Sequence, residues 1–150
     1  MKKLLAKSKN NKEVYICETT KEHMKAHLDV NINHIKEAIN KIDLEGTFLI
    51  QEISLGRTIG KDKCIYVSKD RLDEVKFITR PNRKGTTPMI KAEPDDTDLI
   101  TIGACVDGDG KWTLFTAFYG KKAPKEPWDI KNEDELKESE QFWSCHALCI

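Results

Sequence analysis

No Cys-x-x-Cys pair occurs in this 150-residue chain, and its cysteines (Cys17, Cys64, Cys105, Cys145 and Cys149) are odd in number. That excludes a paired-thiol redox motif and a framework in which every cysteine is bridged within the chain. Free thiols in a reducing compartment are the expectation. Long apolar runs are also missing. After Met1, Lys2 and Lys3 only Leu4-Leu5-Ala6 is apolar, against the roughly 7–15 residues of a secretory leader. Nothing approaches the ~20 residues of a membrane span. The chain is expected to be cytoplasmic, with no membrane partner. A P-loop, a GxGxxG after a strand and a GxSxG elbow are all absent, which argues against the common nucleotide-dependent chemistries and the serine-hydrolase elbow. Aromatic residues are only 7% of the chain, and no RNP-like aromatic signature marks an RNA-recognition sheet.

What is present is a globular balance of 39% hydrophobic and 33% charged residues, too apolar for a disordered chain. The length suits one domain with its own core. Net charge is zero but unevenly spread: residues 57–91 carry a net +6 and residues 92–150 a net −7. Such halves can form two oppositely charged surfaces, open to a protein partner.

Residues 1–12 are rich in Lys and Asn and are expected to fray, leaving 13–150 as a single α+β domain. Val14 to Cys17 is β-like. Thr19 and Glu22 have capping-box spacing. Met24, Leu28, Ile32, Ile35, Ile39 and Ile42 then recur at steps of three and four, which predicts a helix from about Lys21 to Ile42. Gly46 stops it. Strands are expected over 47–55, 64–68 and 75–79, with a basic loop at 81–85. Leu99–Val106 and Trp112–Tyr119 flank Asp107-Gly108-Asp109-Gly110, a hairpin signal. Asn132 or Glu133 opens a last helix, anchored by Leu136, Phe142, Trp143 and Leu148. The order predicts a central antiparallel β-sheet packed by an N-terminal and a C-terminal helix, class α+β.

The chemistry-bearing residues are spread along this frame. His23 and His27 lie four apart and share a helix face, and His34 extends their stripe. Arg80, Arg83 and Lys84 cluster with Thr86 and Thr87, a set of forks, a cation and hydroxyls suited to phosphate oxygens. Thr116 lies in the second hairpin strand. His146 follows the aromatic pair Phe142-Trp143, which would pin it to the core. His23-x3-His27 also has metal-ligand spacing, without the order of an HExxH motif.

With His23 and His27 on an N-terminal helix, a sheet after it, Arg80 at a strand end and Thr116 on a late strand, the layout resembles the small RNases of the barnase–EndoU–colicin–RelE superfamily. The resemblance spans about Thr19 to Tyr119. It implies a toxin-like, metal-independent endoribonuclease without cofactor and with RNA as partner. His27 and His23 would be acid and base, Arg80 the phosphate clamp, and Thr116 or Thr87 a hydroxyl donor. His146 is the reserve imidazole, and Arg83, Lys84 and Thr86 would bind substrate. Two other readings stand beside it: a non-catalytic interaction or immunity-like protein, and a metal-dependent hydrolase using His23 and His27.

Overall fold

The computed structural model of the chain describes residues 2–24, 30–79 and 84–149, with residues 23 and 24 described in backbone only. The strands and helices, in chain order, are β1 (Lys2–Lys7), β2 (Glu13–Cys17), α1 (Glu18–Met24), α2 (Ile32–Ile39), β3 (Phe48–Ser54), β4 (Gly60–Asp62), β5 (Cys64–Tyr66), β6 (Lys76–Thr79), β7 (Thr86–Ile90), β8 (Asp95–Thr97), β9 (Leu99–Val106), β10 (Trp112–Tyr119), α3 (Glu133–Trp143) and β11 (His146–Cys149). Helices near both ends of the chain together with multi-strand sheets make the fold α+β, as the order of sequence signals predicts. No linker is visible in the sequence, yet the chain divides into two compact units. Residues 1–61 with 96–122 form one, and residues 62–95 with 123–150 form the other.

The first unit is built on a five-stranded sheet of order β1-β2-β10-β9-β3. Its centre is the β9–β10 hairpin, whose strands cover the residues the hairpin signal marks out. Asp107 closes the turn by accepting the N–H groups of Asp109 and Lys111, and Gly110 takes the positive φ of 75° the reversal requires. Ile100, Ile102, Ala104, Leu114 and Ala117 alternate onto one face. There they form a buried core with Val14, Ile16 and the α2 residues Ile35, Ala38 and Ile39. Burying each of the larger side chains contributes about 1.5–3 kcal/mol.

Three features of this unit depart from the sequence reading. Residues 2–7, expected to fray, form β1, paired antiparallel with β2. Leu5 explains this, because it joins the core. The sheet is mixed, since β10 runs parallel to β2; the long chain between them supplies the crossover that parallel pairing needs. The single helix expected over 21–42 is two helices, α1 and α2. Asn31 has extended backbone, and its side chain accepts from the Asn33 N–H, so it caps a new start rather than continuing an old one. The apolar period carries across this break, which is why the pattern alone reads as continuous.

The second unit holds a four-stranded sheet of order β5-β11-β7-β6. Ile65, Val67, Ile90 and Ala147 are its core. Asn132 caps α3 by accepting from the Asp134 and Glu135 N–H groups, and Glu133, Asp134 and Glu135 place negative charge on the first turn. Trp143 Nε1 donates to the Pro124 carbonyl, and the buried Ser139 donates to that of Lys125. Leu148, expected to anchor the helix, lies instead in β11, which pairs with β5 on one side and β7 on the other. β4 and β8 form a separate two-stranded ribbon.

Candidate functional site

His146 is the single histidine of the second unit. It opens β11 opposite Tyr66, the last residue of β5. Its ring stacks on Phe142, with centroids 3.8 Å apart and planes 4° from parallel, and meets the Tyr66 ring edge-on at 5.8 Å. Nδ1 lies 2.8 Å from the Phe142 carbonyl oxygen. A carbonyl can only accept, so the neutral ring carries its proton on Nδ1, and Nε2 is left as the lone-pair nitrogen. The ring is half-buried. A fixed ring with a defined tautomer and a lone pair on Nε2 is suited to taking or giving a proton. Cys145 Sγ lies 3.4 Å from the same Nδ1, but it also faces the Phe142 carbonyl at 3.5 Å. With Nδ1 donating elsewhere, the imidazole does not activate this thiol.

Register places other polar groups at the same end of the sheet. Thr86 opens β7 and pairs with Thr79, the last residue of β6. β11 and β7 run parallel, with Leu148 beside Met89, so the starts of both strands, His146 and Thr86, share one end. Lys84, exposed, and Thr86, also exposed, stand there. Trp128 fixes this approach: its Nε1 donates to the Thr86 carbonyl at 3.0 Å, and its ring lies flat against Gly85, where any side chain would collide. Arg80 and Arg83, the expected phosphate clamp and its neighbour, lie outside the described residues.

Thr87 corrects one expectation. Read as a surface hydroxyl for substrate, it is fully buried and donates to Glu126 Oε1 at 2.7 Å. Its place within β7 turns it inward, so it cannot meet a ligand. Glu126, which no sequence signal marked, is itself only 8% exposed, and its Oε2 has no hydrogen-bond partner among the described residues. A buried carboxylate with one satisfied oxygen makes this hydroxyl important for stability. Thr87→Val is expected to cost about 1–3 kcal/mol, because it strips the remaining bond from a buried polar group. The urea midpoint of unfolding reads this directly, and an unshifted midpoint would refute it.

The other expected residues belong to the first unit. Thr116 pairs with Gly103 just past a register shift, on the sheet face opposite Ala117 and Tyr119, and is half-buried. His27 and the side chain of His23 lie outside the described residues. His34 has a different partner from the one its stripe implies: its Nδ1 is 2.7 Å from the Tyr119 hydroxyl, which also accepts the Asn31 N–H at 2.9 Å. This ties the start of α2 to the end of β10. Arg57 forks onto both carboxylate oxygens of Glu37, at 2.8 and 3.0 Å, and holds that carboxyl below its usual range.

All five cysteines are free. The Thr20 hydroxyl beside Cys17 lowers its thiol pKa, whereas burial raises that of Cys149. Among the described residues no three His, Cys, Asp or Glu side chains group as metal ligands, and no helix is long and apolar enough to cross a membrane.

No protein-family model matches the chain, and no curated protein does. Among solved structures it is similar to the crystal structure of a conserved hypothetical protein from Toxoplasma gondii ME49. The two share 11% identity at a TM-score of 0.52, over 79% of this chain and 83% of that one. At that identity the likeness concerns the fold alone.

Proposed function

We propose that the chain is an endoribonuclease that works without a metal ion, the activity implied by its resemblance to barnase–EndoU–colicin–RelE RNases. The observation that carries this reading is the His146 ring, held by Phe142 in one tautomer with Nε2 as its lone-pair nitrogen. In the proposed reaction Nε2 takes the proton of a ribose 2′-hydroxyl. The freed oxygen attacks the adjacent phosphorus, the bond from phosphorus to the 5′ oxygen breaks, and that oxygen leaves with a proton from a general acid. Lys84 and Thr86 would attract and orient the phosphate. Arg80 and Arg83 remain the sequence-derived partners for its developing charge.

The test uses an RNA oligonucleotide incubated with the purified chain in excess EDTA. Cleavage is expected to persist. A single 2′-deoxy substitution is expected to abolish it at that linkage only, because the nucleophile is removed. Cleavage that EDTA stops, or that ignores the 2′-deoxy position, would sink the proposal.

One observation favours a second reading, a non-catalytic interaction protein. Phe77 is 67% exposed and Tyr66 62% exposed, on the two edge strands of the second sheet, where a partner could cover them. A stoichiometric protein partner together with intact RNA after many hours would establish that reading. The metal-dependent hydrolase rests on His23 and His27, whose side chains lie outside the described residues.

A further inference from the structure

The face of the five-stranded sheet turned away from α2 is unusual in what it displays. A sheet with one solvated face normally shows polar side chains there. Here pair register runs one row across all five strands. Leu4 stands opposite Tyr15, Tyr15 beside Thr113, Thr113 opposite Cys105, and Cys105 opposite Phe48. Phe48 is 61% exposed and Leu4 54% exposed at the two edges. Phe115, from the irregular step in β10, stacks on Phe48 with centroids 5.6 Å apart and planes 23° from parallel. Thr116, Ile50 and Phe118 continue the same face.

The row leads into an open cleft of about 350 Å³ lined by Asn11, Lys12, Glu13, Tyr15, Lys111 and Trp112, with Gly110 at its rim. Lys111 sits 5.0 Å over the Tyr15 ring. The Tyr15 hydroxyl donates to one oxygen of the Glu13 carboxylate. Lys2 draws in Asp107, and the Glu52 carboxylate accepts the Lys122 N–H. Glu13 keeps its charge, but the two lysines outnumber it in the cleft lining, and Lys2 pairs with Asp109 as well as Asp107.

We infer that this face is a stacking platform for single-stranded RNA, with bases on Phe48, Phe115 and Tyr15 and phosphates beside Lys12 and Lys111. The inference rests on the ribonuclease reading for the class of ligand and concerns the first unit alone. Aromatic rings on a sheet combined with a cationic groove suit splayed bases, because every base has a face to stack and every nucleotide a negative charge. Tyr15 and Phe48 stand three strand spacings apart, about 14 Å, so the row takes more than one nucleotide.

The experiment is fluorescence anisotropy with a labelled, 2′-O-methylated oligouridylate, which cannot be cleaved through its 2′ oxygen. Phe48→Leu is expected to weaken binding about five- to one-hundred-fold. Phe48→Trp should retain it, since a ring and not mere bulk is needed. Phe48 is exposed, so both variants should fold. Lys111→Gln should weaken binding and flatten its salt dependence. Leucine binding as tightly as phenylalanine would overturn the inference. So would a dimer in sedimentation that Phe48→Glu dissociates while RNA affinity stays unchanged, since the face would then belong to a second copy. Oligonucleotide binding through Phe48 with no cleavage of ordinary RNA would leave the platform standing and remove the nuclease. Cleavage of RNA by a chain whose binding ignores Phe48→Leu would do the reverse.

Discussion

His146→Asn is expected to lower RNA cleavage about 10²–10⁴-fold, the usual contribution of a positioned general acid or base, while leaving the chain folded. Asparagine is the informative choice. Its amide N–H can take over the Nδ1 role and donate to the Phe142 carbonyl, which lies 2.8 Å from that nitrogen. What it lacks is any atom in the place of Nε2. Glutamine reaches further and is expected to lose the Phe142 bond as well, so it should be somewhat less stable and equally inactive. Phe142→Leu removes the stacked ring at 3.8 Å but leaves the imidazole. Its expected effect is smaller and falls on kcat, because the base keeps its bond to the backbone carbonyl of residue 142 but loses the stacked ring. Full activity in His146→Asn would show that another group moves the proton.

Gly60→Ala is the substitution expected to damage the first unit most for its size. A Cβ there would run into the Tyr119 ring, close to Cγ, Cδ2 and Cε2 together, so the ring lies flat on this glycine. The ring cannot tilt freely, because it is 93% buried and its hydroxyl is bonded to Asn31 N–H and His34 Nδ1. Overpacking costs about 1–3 kcal/mol, and breaking the hydroxyl's two bonds adds about 0.5–1.5 kcal/mol for each. Urea denaturation measures the sum, and the Asn31 amide resonance should move. In a Tyr119→Ala background the same alanine should be nearly neutral, since the two residues share one contact. Equal cost in both backgrounds would contradict the packing account.

Much of the frame was legible because its signals are local. The Asp107 to Gly110 turn identifies itself, since its bonds run between neighbours. The Asn132 cap of α3 does the same. β1, β7 and β11 were missed for the opposite reason. Each is short and gains its stability from partners distant in sequence, so no window of residues displays the pairing. The break at Asn31 escaped because helical periodicity survives a change of helix. The site divides along the same line. His146 was within reach, since the aromatic residue that fixes it, Phe142, stands four positions earlier and one turn away. Tyr66 and Trp128 were not, because only the fold brings them to the same end of the sheet. Thr87 misled: a threonine near a basic loop reads as surface, and its partner Glu126 is visible only in the folded chain. The aromatic row was hidden too, since Tyr15, Phe48 and Phe115 come from three strands that no contiguous motif unites.

Mass spectrometry of the ends left on a cut RNA tests the central claim most directly. Attack by the 2′ oxygen predicts fragments ending in a 2′,3′-cyclic phosphate and beginning with a free 5′-hydroxyl, formed in EDTA and lost with the His146 ring. Fragments carrying 5′-phosphates and 3′-hydroxyls would mean that water, not the ribose, attacks, and RNA left whole would mean that His146 serves some purpose other than cleavage.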